Sequence, residues 1–598
     1  MGAQLSLGIE VINAACAGAA LLTLVLVVRR PKAAARAGAP GARRVALEPC
    51  EGCVVSGVGL GLPGTGRKVF CGANAAALLR GECLIEPLGD DQADALLARR
   101  VVQLQKSKDK GPTKVPITRR EQTVGVSARL GDFDLSAEYG VPKALAQTMG
   151  KATQIAVAAG LEALKDAGLV ADVAGDDRWK LPEALRDGTG VVYATSFPAL
   201  DAAVAEVGRY GEYLKPSRQS AAALIDALEA KLGGSGDVAD ALDALRAAAG
   251  GHASPCGSPR KPSADGAPSK TYTFDRKFLF KVLVLGNSQL AQLTGARGPN
   301  LQTNAACAGT TQAVGVAQDL LRAGRCDRVV VISGDDASGD ALMPWVGNGF
   351  NALGAASTAR DAATAARPFD NRRNGMVVGA AACALVIERA GAPRPRPPPG
   401  GWFARRASTS RPCVVAPRSG AARPRRARCR VLETLYSNSA YHGAAMCGPH
   451  IASELEAFLR LVERKHGVTR KAIAERGAYL SHETGTHATP SSSCAHNEIS
   501  ALRACFGDEL VAKLVVVNTK ALTGHPMAVG VEDVVAALAL SQPTTPLPPC
   551  PPGCVSDANL GVGLALAARD RGGPPIKFAL RFAAGFGSQV AFVLYSAD

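Results

Sequence analysis

Apolar positions along this chain fall into short runs whose spacing predicts strands and helices in alternation. Val515-Val516-Val517 is a continuous apolar run that breaks into the polar turn Asn518-Thr519-Lys520. Tyr479-Leu480 leads in the same way into Ser481-His482-Glu483. A sheet presents side chains at the carboxyl edges of its strands through turns of this kind. Gln312 to Arg322 reads as a helix, and the small residues around Cys307 stand immediately ahead of it. Three stretches escape the alternation. Val11 to Val28 is almost wholly apolar, residues 249–270 are rich in Gly, Ser and Pro, and residues 391–430 are dominated by Arg, Pro and Ala.

Charge sharpens this division. The net charge of the 598-residue chain is +16. Residues 29–44 hold six basic side chains and residues 391–430 hold eleven arginines, with no acidic residue in either stretch. The remainder is therefore close to neutral, which argues against a nucleic-acid-binding fold. Residues 391–430 cannot bury a core and are expected to be disordered, as is the insertion at about 249–270. At ~1.5 Å per residue, Val11 to Val28 spans about 27 Å, enough to cross a bilayer. Arg29 and Arg30 would then keep the body of the chain on the cytosolic side. The alternative is a targeting segment for an organelle such as a plastid. Sixteen cysteines scattered over the chain do not form a disulfide framework. Cys50-Glu51-Gly52-Cys53 has redox or zinc spacing, but a lone pair specifies little and no metal site is assigned.

The candidate chemistry starts at Asn304-Ala305-Ala306-Cys307-Ala308-Gly309. Small neighbours permit a sharp turn, and the first turn of a helix favours thiolate over thiol. Cys307 is thus a candidate nucleophile for an acyl group. His482 and His525 lie in the polar turns described above. A cysteine followed by two such histidines is a far less common coincidence than any one of them.

Taken together, these segments resemble the β-ketoacyl-acyl carrier protein synthases, the condensing enzymes of fatty acid and polyketide synthesis. The resemblance runs from Val54-Val55-Ser56-Gly57-Val58-Gly59, through the helix Gly160 to Gly168 and the Cys307 segment, to Arg367-Pro368-Phe369-Asp370. It continues through His482-Glu483-Thr484-Gly485-Thr486 and Lys520 to His525, and closes with Gly585-Phe586-Gly587-Ser588. It implies an α/β, thiolase-like fold with two pseudo-symmetric mixed-sheet halves in αβαβα layers, interrupted by disordered insertions. Cys307 would accept the acyl chain, and His482 and His525 would stabilise the enolate formed on decarboxylation. Lys520 would hold the charge network, and backbone N–H groups of Cys307 and Phe586 would form the oxyanion hole. Phe586 would also act as a gate, and Thr484 and Thr486 would bind the pantetheine arm. The resemblance further implies a homodimer, an acyl carrier protein supplied in trans, and no cofactor beyond that carrier's phosphopantetheine. The chain departs from the family pattern at Glu483, where glycine is usual. It departs again at Gly379-Ala380-Ala381, where Gly-Glu-Gly is frequent, and at Asn374, where aspartate is usual.

The expected organisation is a targeting or anchor segment with its basic linker over residues 1–44, then a first half over 45–390. An Arg/Pro-rich insertion follows over 391–430, and a second half over 431–598. Two other activities share some of these features. A thiolase would need a second cysteine in the final glycine-rich segment, which has none, and a chain-length-factor-like partner subunit would lack Cys307. Gly59-Leu60-Gly61-Leu62-Pro63-Gly64 also fits a dinucleotide-binding fingerprint, although Pro63 is awkward at the start of a phosphate-binding helix.

Overall fold

The computed structural model describes residues 50, 52–105, 113–171, 175, 178–197, 199–232, 240–241, 272–394, 427–486, 493–542, 544–568 and 575–597. The apolar stretch at 11–28, the 249–270 segment and most of 391–430 lie outside these residues. Among the described residues no helix is long and apolar enough to cross a membrane.

Ten strands make up the main sheet. The first five are β1 (Cys53–Gly61), β2 (Thr189–Ala194), β3 (Asn300–Thr303), β4 (Arg328–Asp336) and β5 (Ala380–Arg389). The second five are β6 (Cys429–Asn438), β7 (Gly477–Leu480), β8 (Val515–Val517), β9 (Phe578–Gly585) and β10 (Gln589–Ser596). Their spatial order is β8-β7-β9-β10-β6-β1-β5-β4-β2-β3. Each strand of the first five has a counterpart in the second. β2 runs parallel to both β3 and β4, as β7 does to β8 and β9. β5 runs antiparallel to β4 and β1, as β10 does to β9 and β6. The two sets meet where β1 pairs with β6 through Cys53–Val55.

Strand alternation sorts the core into layers. Val329 and Val331 of β4 and Ala478 and Leu480 of β7 share one cluster with Ala313, Val314 and Leu321 of α3 (Gly309–Arg322) and Val534 and Val535 of α8 (Val531–Ser541). Those helices form the central layer between the two half-sheets. Residues one position along point the other way, as the two-residue period of a strand requires. Val330 and Ile332 join α1 (Lys151–Asp166) and α2 (Gly286–Thr294) on one outside. Tyr479, Leu580 and Phe582 join α5 (Gly448–His466) and α6 (Cys494–Phe506) on the other. This is the αβαβα arrangement that the family resemblance implies.

The glycines that fit a dinucleotide fingerprint have another use. A Cβ on Gly59, the first of them, would stand 2.1 Å from the carbonyl oxygen of Ala159, and one on Gly57, just ahead of the fingerprint, 2.3 Å from that of Ala163. Both allow α1 to lie directly on β1. No helix starts at the following turn either; the next one spans Asn74–Leu79, so the phosphate-binding reading fails on geometry.

Candidate active site

Cys307 sits on a short 3₁₀ turn, Ala306–Ala308, that leads from β3 into α3. Asn304 shapes the turn by accepting the Ala306 N–H at 3.0 Å. Ala306 takes a left-handed φ of 46°, an unfavourable geometry for alanine that such elbows hold in place through surrounding contacts. The opposite wall is the end of β9. A Cβ on Gly585 would lie 2.4 Å from the carbonyl oxygen of Ala305 and 3.0 Å from the nitrogen of Cys307. Only glycine lets β9 come this close, and Phe586 follows directly. Its ring is partly exposed and lies 5.9 Å from that of Phe350, on α4 (Met343–Ala352). Cys307 borders an apolar cluster that includes Leu342, Met343, Val346 and Met527.

The sulfur is not poised as the helix argument alone would have it. Burial pushes the Cys307 thiol up to about 12, and the nearby Lys520 charge draws it back only in part. The expectation of a resting thiolate is therefore corrected: desolvation outweighs the partial charge at the start of α3.

Hydrogen bonds fasten this elbow to the segment that carries His525. Thr310 donates its N–H and its hydroxyl to the Ala528 carbonyl at 3.0 and 2.7 Å. Its oxygen accepts the Gly530 N–H at 2.9 Å. Asp335, at the end of β4, accepts the Ala528 N–H at 2.9 Å. The His482 segment is held by Glu498 of α6, whose carboxylate accepts the Tyr479 and Ser481 hydroxyls and the N–H groups of His482 and Glu483.

His482 and His525 meet edge to face, with ring centroids 6.0 Å apart. Burial, reinforced by the charge of Lys520, takes His525 down to about 3 and His482 well below its ordinary value. Both imidazoles are therefore neutral at physiological pH. Nδ1 of each, and also Nε2 of His525, is buried without a hydrogen-bond partner. Lys520 opens the short helix α7 (Lys520–Thr523) and donates to Glu532 at 2.7 Å. Burial would raise Glu532, but Arg581 and Lys520 bring it down to about 2, so it is a carboxylate.

A narrow cleft is lined by Arg367, Glu483, Thr484, Asn518, Lys520 and His525 among others. Thr484 faces this cleft. Thr486 instead uses its hydroxyl oxygen to accept the Cys494 N–H at 3.2 Å, at the start of α6. Glu483, at the glycine position of the family pattern, is wholly buried. Burial and the charge of Glu498 raise it to about 8. One of its oxygens accepts the Gly485 N–H at 3.0 Å and the other has no partner. Ala380 is buried in β5, and Asn374 accepts the Ser357 hydroxyl at 2.7 Å.

Sequence reasoning found the cysteine, both histidines and Lys520 but missed Glu532, Glu498 and Arg581. Glu532 and Arg581 did leave a signal, each being a charged residue within a largely apolar run, whereas Glu498 follows His496 and Asn497 and left none.

Comparison with known proteins finds similar sequences and folds. Residues 284–392 match the family model for the N-terminal domain of β-ketoacyl synthases. A stretch of 102 residues is 36% identical to a putative polyketide β-ketoacyl synthase 1 of Streptomyces virginiae, covering 17% of this chain and 23% of that protein. A stretch of 279 residues is 28% identical to the 3-oxoacyl-[acyl-carrier-protein] synthase 2 of Staphylococcus aureus, covering 44% of this chain and 58% of that protein. The matched stretches thus span less than two thirds of these relatives. In three dimensions the chain is similar to the ishigamide ketosynthase/chain length factor. The TM-score is 0.55 at 18% identity, covering 92% of this chain and all of that one. A β-ketoacyl synthase from Burkholderia phymatum gives the same TM-score and coverage at 16% identity. The fold is thiolase-like. In sequence and in fold the chain is similar to the β-ketoacyl synthases.

Proposed function

We propose that the protein is a β-ketoacyl-acyl carrier protein synthase that joins an acyl thioester to a malonyl thioester with loss of carbon dioxide. The observation that carries this reading is the fastening of the Cys307 elbow to the Ala528–Gly530 segment, beside two neutral histidines. In the first step the Cys307 sulfur attacks the acyl thioester carbonyl. The carbon–sulfur bond to the carrier breaks, and the carrier leaves as its thiol. Cys307 is protonated at rest, so its proton must depart as the sulfur attacks, and a neutral imidazole is the available base. Backbone N–H groups of Cys307 and Phe586 would stabilise the oxyanion.

In the second step the malonyl thioester lies against the histidines. Its carbon–carboxylate bond breaks, carbon dioxide leaves, and Nε2–H groups of His482 and His525 stabilise the enolate oxygen. The carbanion attacks the acyl group on Cys307 and displaces the thiolate. Burial and the charge of Lys520, fixed by Glu532, keep the imidazoles neutral, while Thr484, on the cleft, would bind pantetheine. Ketosynthases of this family need no cofactor of their own, because the phosphopantetheine belongs to the carrier protein. A solved structural neighbour is a type II polyketide acyl carrier protein in complex with its ketosynthase, which supports a carrier in trans as partner. A homodimer and attachment to a membrane through residues 11–28 remain part of the proposal.

Condensation of acyl- and malonyl-carrier protein by the full chain, run beside Cys307→Ala, tests the reading. Product from the parent and none from the variant is expected. Decarboxylation without condensation in the parent would favour a chain-length-factor-like partner subunit instead.

A further inference from the structure

Arg581 is the largest unexplained commitment in the second half of the molecule. It sits in the middle of the apolar strand Phe578-Ala579-Leu580-Arg581-Phe582-Ala583-Ala584 and is only 2% exposed. A permanently charged guanidinium in such a place carries a large desolvation penalty, and an apolar side chain of similar size would often serve stability as well or better. Its contacts are specific. Nη1 donates to the carbonyl oxygens of Leu480 and Ser481 at 3.2 and 2.8 Å. Nη2 lies 3.1 Å from Glu532 Oε2, and Nε lies 3.6 Å from Asp533 Oδ2. The two carbonyls immediately precede His482. Glu532 binds Lys520 through its other oxygen at 2.7 Å, and Lys520 begins the turn that ends in His525. One planar group thus bridges the two histidine-bearing segments.

We propose that Arg581 is a positioning residue whose guanidinium serves as a fixed internal cation, locking the His482 strand end and the Glu532–Lys520 pair into one catalytic geometry. This inference rests on the condensing reading for its consequence in catalysis, though not for the contacts themselves. Fixed geometry requires the fork. Lysine would keep the charge, but a single ammonium cannot reach two carbonyls and a carboxylate in one plane. Asp533 adds a second tie, since it also accepts the Thr311 hydroxyl of α3 at 2.8 Å and the Tyr595 hydroxyl at 2.7 Å. Deleting the side chain would leave a pocket of two carbonyl oxygens and two carboxyl groups, a set that suits a small cation.

The experiment compares the parent with Arg581→Gly and Arg581→Lys. It measures malonyl-carrier decarboxylation and titrates the histidines by NMR in the full chain. Arg581→Gly is expected to lose kcat by about a hundredfold, the scale of a small misplacement of catalytic groups, with KM little changed. Guanidinium ion at non-denaturing concentration is expected to restore part of that loss. Arg581→Lys is expected to fold and to show a smaller loss of kcat. In Arg581→Gly the histidines should titrate at higher pH than in the parent, whereas Arg581→Lys keeps the charge and should leave their titration close to the parent's. Parent-like kcat and histidine titration in Arg581→Gly would overturn the proposal. So would a folded Arg581→Gly whose deficit guanidinium does not relieve. If Arg581→Gly does not fold, Arg581→Lys decides alone: unchanged kcat refutes the fork. A parent that does not decarboxylate malonyl-carrier protein would instead sink the functional reading, while the change in histidine titration would still report on Arg581.

Discussion

Cys307 carries two opposing influences on one sulfur atom. The start of α3 and the Lys520 charge favour thiolate, and burial disfavours it more strongly, leaving the thiol near 12. Acylation with a neutral imidazole as base should therefore be level with pH from about 6 to 9, because neither the thiol nor the imidazoles change protonation in that range. Single-turnover acylation across that range checks this, and a rate that rises with pH would indicate attack by a preformed thiolate. Glu483 makes a prediction about stability. Its folded value is about 8 against an ordinary 4.5, so the folded state holds a proton that the unfolded chain has released. Its contribution is complete below the ordinary value and declines as pH rises towards 8. Glu483→Gln should thus raise Tm relative to the parent more at pH 8 than at pH 5. An equal difference at both pH values would mean that Glu483 is ionised in the fold. The contrast between these residues shows what one sequence can reveal. Cys307, His482 and His525 were legible because each stands in a short turn flanked by small or polar residues. Arg581 and Glu532 stand in regular elements and act on residues far along the chain, so no local spacing links them.

At the scale of elements, the site depends on how closely one backbone approaches another. β9 can touch the Cys307 elbow because position 585 has no side chain. Gly585→Ala should displace the elbow, lowering kcat for acylation by about a hundredfold. It should reduce stability by only about 1–3 kcal/mol, as overpacking usually does. Acylation kinetics and denaturant unfolding on the same preparation would separate the two effects. Unchanged acylation would show that the contact at Gly585 is incidental. The strands on either side of the histidines were readable from apolar runs, and α3 from the spacing after Cys307. The antiparallel pairings of β5 and β10 were not. A continuous apolar run such as Ala381 to Ile387 in β5 indicates burial on both faces but does not name its neighbours. The glycines of β1 show the same limit. Their spacing suggested phosphate binding, and only the position of α1 shows that Gly59 serves helix packing.

For the whole molecule, the central helix layer belongs to neither half alone. Ala313, Val314, Ala317 and Leu321 of α3 share a cluster with Val534 and Val535 of α8 and with strands of both half-sheets. A fragment comprising residues 45–390 would leave that face of α3 uncovered. It should aggregate or stay loosely packed, with little near-ultraviolet dichroism, and a soluble, cooperatively folding fragment would contradict this. The strand-for-strand correspondence of the halves extends to a small backbone detail. Ala306 and Met527 both have φ of 46°, and each stands just ahead of a central helix. If the halves descend from one ancestral gene that was copied and fused, each copy brought an elbow of its own. One retained the sulfur, and the other became the brace at Ala528 that its twin leans on. Inheritance would then account for a fastening that reads today as design. Ala528→Cys puts that history to trial: acylation at position 528 would reveal a dormant second nucleophile, and its absence would show that the copy has diverged too far to be reawakened.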